Sequence, residues 1–182
     1  MNRIFVFGML VLLVACNKDG VGIDKRQAYS DQVKLAFAKK YQNKGFSLIG
    51  IGGSELDGKT TGFSLTFETD KLYDISKARQ LLLEMVQQFW KEINSDINLR
   101  SYLCEIPFPL KNIRIGVISI VPDANAKEFE NIFYCDHGVL VFLKKQGVVV
   151  YNIPVKHVET YEEAVRIEAE SKMDKLNSVS DK

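Results

Sequence analysis

The stretch Ile75 to Asn94 constrains the fold more than any other part of this chain. Ala78, Leu82, Val86, Phe89 and Ile93 recur at three- and four-residue spacing, Leu81, Met85 and Trp90 widen the stripe, and Gln80, Glu84, Gln87 and Lys91 fall on the other side. That periodicity predicts an amphipathic helix with Asp74 as its N-cap, and an apolar face this broad must be covered by a second layer. A stripe of methionine and aromatic residues at this spacing reads as core rather than as a ligand pocket.

The second layer reads as a sheet. Strands are predicted at Phe46 to Ile51, ending in Gly52-Gly53, and at Thr61 to Thr69, where Phe63, Leu65 and Phe67 alternate with Gly62, Ser64 and Thr66 as in a sheet with one covered face. Four more are predicted at Ile113 to Val121, Phe129 to Tyr134, Val139 to Lys144 and Val148 to Ile153. Asp136-His137-Gly138 and Lys145-Gln146-Gly147 supply turns between the last three, so these strands are expected to form an antiparallel meander. An earlier helix from Lys25 to Lys44 has Asp24 as its cap, Tyr29, Val33, Phe37 and Tyr41 on one face, and Gly45 as its stop. The last helix starts at Thr160, which forms a Ser/Thr-x-x-Glu capping box with Glu163, and continues through Met173. Ile106-Pro107-Phe108-Pro109 must be extended, because proline lacks an amide donor and restricts the residue before it. The expected class is α+β: a mostly antiparallel sheet of about five to six strands with helices packed on one face, in the order α-β-β-α-β-β-β-β-α. Residues 24–176 form one domain on this reading, and 177–182 a frayed tail.

Upstream of the domain, the amino terminus and Arg3 precede an apolar run, Ile4 to Val14, that leads into Leu13-Val14-Ala15-Cys16. The run breaks at Asn17-Lys18-Asp19-Gly20, well short of the roughly 20 apolar residues that span a bilayer, and it has none of the polar face of a core helix. A positive n-region, an apolar h-region and a small residue before the cysteine resemble the signal peptides of bacterial lipoproteins, whose lipobox reads aliphatic, small or aliphatic, small, Cys. The resemblance implies that residues 1–15 are a removed signal peptide and that Cys16 is diacylglycerol-modified and acylated. Residues 16–23 then form a lipidated tether. An exported chain so modified contacts the membrane through acylated Cys16, and two or more buried acyl chains hold it durably. Asn17, where Asp would favour the inner membrane, points to the outer membrane in a Gram-negative envelope. The Pro-Phe stretch after the long helix and Tyr161-Glu162-Glu163-Ala164 in the last helix give a plan that resembles uncharacterised α+β lipoproteins of bacteria, a likeness that carries no catalytic motif.

Composition narrows the function classes. Apolar residues make up 46% and aromatics 10%, enough to fill a core, so wholesale disorder is excluded. Once Arg3 leaves with the signal, basic and acidic residues balance at 23 each, and no basic stripe supports nucleic-acid binding. The expectation is a lipid-anchored, non-enzymatic binding or accessory domain without cofactor or metal, with an envelope protein or peptide as partner. The alternatives are an envelope enzyme with a Cys/His or metal site near Cys135 and His137, and a periplasmic small-ligand carrier with an apolar cavity between helices and sheet.

Four patterns carry candidate chemistry. Gly53-Ser54-Glu55-Leu56-Asp57-Gly58-Lys59-Thr60 satisfies the P-loop spacing, but a strand follows it where phosphate binding needs a helix N-terminus, and Glu55 and Asp57 put negative charge in the cradle, so it reads as a hairpin loop. Cys104 and Cys135 are candidates for a disulfide in an exported chain, the alternative being two separate thiols. Cys135 and His137 share the spacing of one strand face, although Gly138 argues for a turn with His137 solvated. Cys104, Cys135, His137 and His157 number enough for zinc but lack a recognised ligand spacing, and His157 alone reads as surface.

Overall fold

The computed structural model describes residues 25–120, 132–143 and 155–180. The proposed signal, lipobox and tether, the Asp24 cap, and the strand expected at Val148 to Ile153 lie outside the described residues. The elements are α1 (Lys25–Gln42), β1 (Phe46–Leu56), β2 (Lys59–Thr69), α2 (Ile75–Ser95), β3 (Ile113–Ser119), β4 (Ile132–Asp136), β5 (Val139–Leu143), β6 (Val155–Thr160) and α3 (Tyr161–Ser180). Single 3₁₀ turns at Arg100–Tyr102 and Leu110–Asn112 lie between α2 and β3. This is the expected α+β order. The six strands lie side by side in sequence order, and every neighbouring pair is antiparallel except β2 and β3, which run parallel.

That parallel pair follows from α2. A helix between two strands carries the chain back to the end where β2 began, so β3 starts alongside Phe63 and runs the same way. Asp74 accepts from the Lys77 amide (2.7 Å) and caps α2 as its sequence predicts. The stripe Ala78, Leu82, Val86, Phe89 and Ile93 is fully buried. Opposite it lie the inward residues of the sheet: Phe63, Leu65 and Phe67 of β2, Ile113, Ile115 and Val117 of β3, Phe133 and Cys135 of β4, Leu140 and Phe142 of β5. Phe37 and Tyr41 of α1 complete this layer, with the Phe37 ring 4.7 Å from that of Phe89 and the Tyr41 ring 6.0 Å from that of Phe67. Aromatic rings pack between the helices and the sheet.

Two tight turns set the strand ends. Asp57-Gly58 (φ +47° and +74°) joins β1 to β2, and His137-Gly138 (φ +50° and +75°) joins β4 to β5. Positive φ at both central residues gives the turn whose twist matches paired strands. Gly45 (φ +88°) ends α1 as expected. At the other end of α2, Asp96 accepts from the Tyr29 hydroxyl (3.0 and 3.1 Å) and from the amides of Asn98 and Leu99. Trp90 Nε1 donates to the Phe108 carbonyl (2.7 Å), and Asn94 Oδ1 accepts from the Phe108 amide (2.6 Å), which pins the extended proline stretch against α2.

Three expectations are corrected. β1 runs past Gly52-Gly53 to Leu56, because those glycines pair with Ser64 and Phe63 instead of ending the strand. The last strand lies at Val155–Thr160, in a stretch expected to be a surface loop, because it pairs with β5 and carries a buried carboxylate. α3 begins where its capping box predicts, with reciprocal Thr160 and Glu163 contacts of 2.8 and 3.1 Å, but it continues to Ser180 through part of the tail expected to fray.

The buried carboxylate is Glu159 of β6, which meets Arg79 of α2 in a two-pronged ion pair: Nε to Oε1 at 2.6 Å and a terminal guanidinium nitrogen to Oε2 at 2.9 Å. Both side chains are under a tenth exposed. Removing one partner strands the other charge out of water, so Glu159→Leu is expected to destabilise the domain by about 3–5 kcal/mol, while Arg79→Met with Glu159→Leu recovers most of that loss. Urea denaturation midpoints check this, and equal losses in the single and double variants would contradict it.

Candidate functional site

All three helices pack on one face of the sheet, which leaves the other face to be built from its outward-pointing residues. The strand register sorts them into rows. One row runs Gly52, Ser64, Arg114, Asp136, Val139, and the next runs Gly50, Thr66, Gly116, Tyr134, Val141, Val158. On the β1, β2 side the face is glycine, serine and threonine; toward β4, β5 and β6 it becomes apolar. Small residues beside larger ones leave a cleft of about 470 Å³, floored by Gly52, Gly53, Gly62 and Ser64 and walled by Lys111, Arg114, Asp136 and His137. A shallower hollow of about 360 Å³ continues it past Gly116 to Ile118, Ile132 and Tyr134.

Two glycines of the floor leave no room for a side chain as the neighbours stand. A side chain at Gly53 would come within 2.6 Å of the Gly62 carbonyl oxygen, and one at Gly62 would come within 2.5 Å of the Ser54 hydroxyl. The hairpin tip beside the cleft is rigidified by Thr61, whose hydroxyl bonds that of Ser54 at 2.9 Å.

Asp136 organises the wall. One carboxylate oxygen takes the Arg114 guanidinium directly across the strand pair, and the other meets His137 Nδ1 at 2.7 Å. Burial works to raise the Asp136 carboxyl, but the hydrogen bond and charge of Arg114, aided by His137, outweigh it and hold the group below the usual carboxylate range. In the same contact the Arg114 guanidinium is pushed up, chiefly by its hydrogen bond to Asp136. His137 is turned out by its positive φ, and Lys111 packs beside the same turn, with its Cβ facing Gly138. Cations and hydroxyls thus ring a small-residue floor, an arrangement suited to holding a polar ligand with an anionic group.

Comparison with protein-family models, curated proteins and solved structures finds no match to this chain. Its chemistry therefore has to be read from its own side chains.

Cys135 and His137 do not form a pair. Cys135 points from β4 into the core, His137 lies in the turn and bonds Asp136, and burial pushes the Cys135 thiol up to about 12, with the Asp136 charge adding to the effect. A thiol so protonated is no nucleophile at neutral pH. Nor are Cys104 and Cys135 brought together. The Cys104 amide donates to the Thr60 carbonyl at the start of β2, while Cys135 lies opposite Ile115, itself opposite Leu65, five residues along β2 and two strands over. That offset is about 16 Å along the strand, beyond the roughly 7 Å between Cα atoms that a disulfide can close. Both are free thiols, Cys104 exposed and Cys135 buried. Among the described residues no three His, Cys, Asp or Glu side chains converge to hold a metal, and Cys104, Cys135, His137 and His157 lie on different elements.

The P-loop spacing falls on the β1–β2 hairpin. Gly58 is in the turn, Lys59 donates to the Ser101 carbonyl (2.6 Å), and Thr60 is buried in β2, so no helix N-terminus faces the segment.

One cluster escaped the sequence reading. His157 Nε2 lies 2.9 Å from Glu159 Oε2, on the helix-covered face, so Arg79, Glu159 and His157 form a line from α2 to the rim of the core. A neutral His157 must carry its proton on Nε2 to donate here. Two signals pointed to it: an arginine inside the apolar stripe of α2, which needs a carboxylate, and the i, i+2 spacing of His157 and Glu159, which shares a face once 155–160 is a strand.

With Cys16→Ala as background, a maleimide reagent at pH 7.5 is expected to label Cys104 promptly and Cys135 only after denaturation. Because the Cys135 value is raised from its ordinary 9.0, its contribution to stability is complete below pH 9 and is lost as pH rises toward 12, and comparing urea midpoints of Cys135→Ala and its parent at pH 8 and pH 10.5 tests this sign. Equal pH dependence in the two proteins would contradict it.

Proposed function

We propose that this chain is a bacterial envelope lipoprotein, exported and anchored through acylated Cys16, whose α+β domain is a non-enzymatic binding or accessory module. The observation that carries the reading is the unbroken apolar run that ends in Leu13-Val14-Ala15-Cys16, with the first helix of a folded domain beginning at Lys25. Eight residues, 17–24, separate the two, a tether short enough to keep the domain beside the lipid surface. Among the described residues no helix is long and apolar enough to cross a membrane, so any attachment of this part of the chain is by other means.

The cleft supports binding over reaction. Its carboxylate, Asp136, is held ionised in contact with Arg114 and His137, and the Ser54 and Thr61 hydroxyls are committed to each other. What remains available is the Lys111 ammonium, the outer edges of the Arg114 and His137 side chains, and backbone exposed by glycine. The ligand class this fits is an anionic group on an envelope protein or peptide, laid along the open sheet face with its apolar portion toward Tyr134 and Val141.

Intact mass of the native protein from membranes tests the anchor. The expected species lacks residues 1–15 and carries added hydrocarbon at Cys16, while Cys16→Ala keeps its amino-terminal segment and gains no lipid. A native chain that retains Met1 without added hydrocarbon overturns the proposal.

A further inference from the structure

We infer that the end of the domain next to the tether docks onto the bilayer surface, with Leu56, Ile97 and Ile106 entering the headgroup region. The inference rests on the anchoring through Cys16 proposed above and adds a second contact to it. Tyr29 lies four residues into α1, about 6 Å along the axis from its start, and its hydroxyl holds Asp96, the residue immediately before Ile97. Ile97 therefore stands beside the point where the tether enters the fold. The β1–β2 hairpin is fastened to the same end: Lys59 donates to the Ser101 carbonyl, Thr60 bridges Leu103, and the Cys104 amide donates to the Thr60 carbonyl. Leu56 at the hairpin tip and Ile106, two residues past Cys104, are thereby brought to the tether's end of the molecule.

These three side chains are 66%, 74% and 56% exposed, among the most solvent-facing large apolar residues of the described chain. A protein free in solution gains nothing by displaying them together. The tether decides what covers them. Fully extended, the chain from Cys16 to Lys25 reaches at most about 30 Å, so this end stays beside the lipid surface at very high effective concentration, and a weak apolar contact becomes persistent. Charge is a minor term, because Lys25, Arg26, Lys59, Arg100 and Lys111 at this end stand against Glu55, Asp57, Asp96 and Glu105 and nearly cancel. The docking is accordingly expected on zwitterionic lipid and insensitive to salt.

Cys104 provides the probe, since it is exposed within this end while Cys135 is buried. The lipidated protein, its mass verified, is labelled at Cys104 with an environment-sensitive fluorophore and reconstituted in phosphatidylcholine vesicles containing a headgroup-region spin label. A Cys104→Ser, Met173→Cys protein is the control. Met173 lies twelve residues along α3 from Tyr161, whose amide bonds the Gly138 carbonyl at the tether end, and hence about 18 Å farther from the surface. Quenching at Cys104 is expected to exceed that at position 173 several-fold, to persist in high salt, and to fall to the control level in Leu56→Ser, Ile97→Ser, Ile106→Ser, all exposed positions where the fold is retained and circular dichroism verifies it. Equal quenching at the two positions on a lipidated chain, or undiminished quenching in the triple variant, overturns the docking and leaves the anchor standing. A chain shown by mass to be unlipidated overturns both.

Discussion

The packing of α2 against the inner face of the sheet is the contact on which the rest of the molecule depends. Its stripe from Ala78 to Ile93 is fully buried, and each neighbouring segment is held by a side chain that projects from it. Arg79 reaches Glu159 and fastens β6; Gln88 accepts from the Tyr41 hydroxyl and orients α1; Trp90 and Asn94 hold Phe108. The same helix returns the chain across the sheet, so it also causes the parallel pairing of β2 with β3. Buried apolar area supplies the cohesion, and the polar contacts at its margins choose which segments dock where.

Placing every helix on one face has a consequence on the other. Among the described residues no helix covers the outer rows of the sheet, and their composition grades from glycine and small hydroxyl residues to branched apolar ones. The cleft arises at that gradient, where short side chains on β1 and β2 border the long ones of Lys111 and Arg114. Asp136 converts these into a defined wall by holding Arg114 on one oxygen and His137 on the other, and the left-handed backbone at His137 turns that ring outward. The proposed envelope-binding role uses this wall and the apolar rows beyond it.

The tether end of the fold has a different character. It gathers chain reversals and loops rather than regular elements, and it exposes Leu56, Ile97 and Ile106 while Leu99, Leu103 and Phe108 of the same loops are buried. A domain in solution would be selected against such exposure, whereas one held beside a lipid surface has a partner for it. The two proposed surfaces are therefore distinct: a polar cleft on the sheet face, and a loop-built end next to the proposed membrane anchor.

Local pattern determined much of this protein. The period of α2, the Asp74 cap, the alternation in β2, the capping box of α3, the turn at His137-Gly138 and the one-sided sheet all follow from neighbours within a few residues, and the hairpin nature of the P-loop-like segment follows from the strand after it. Tertiary structure decided whatever depends on residues far apart in sequence. The parallel register of β2 with β3, the position of β6, the Arg79–Glu159–His157 line spanning 80 residues, the alignment of Arg114 with Asp136 and the separation of Cys104 from Cys135 are all of this kind. Periodicity says which face of an element is buried, but not which other element buries it, because that choice is made by pairing and packing energies summed over the whole folded chain.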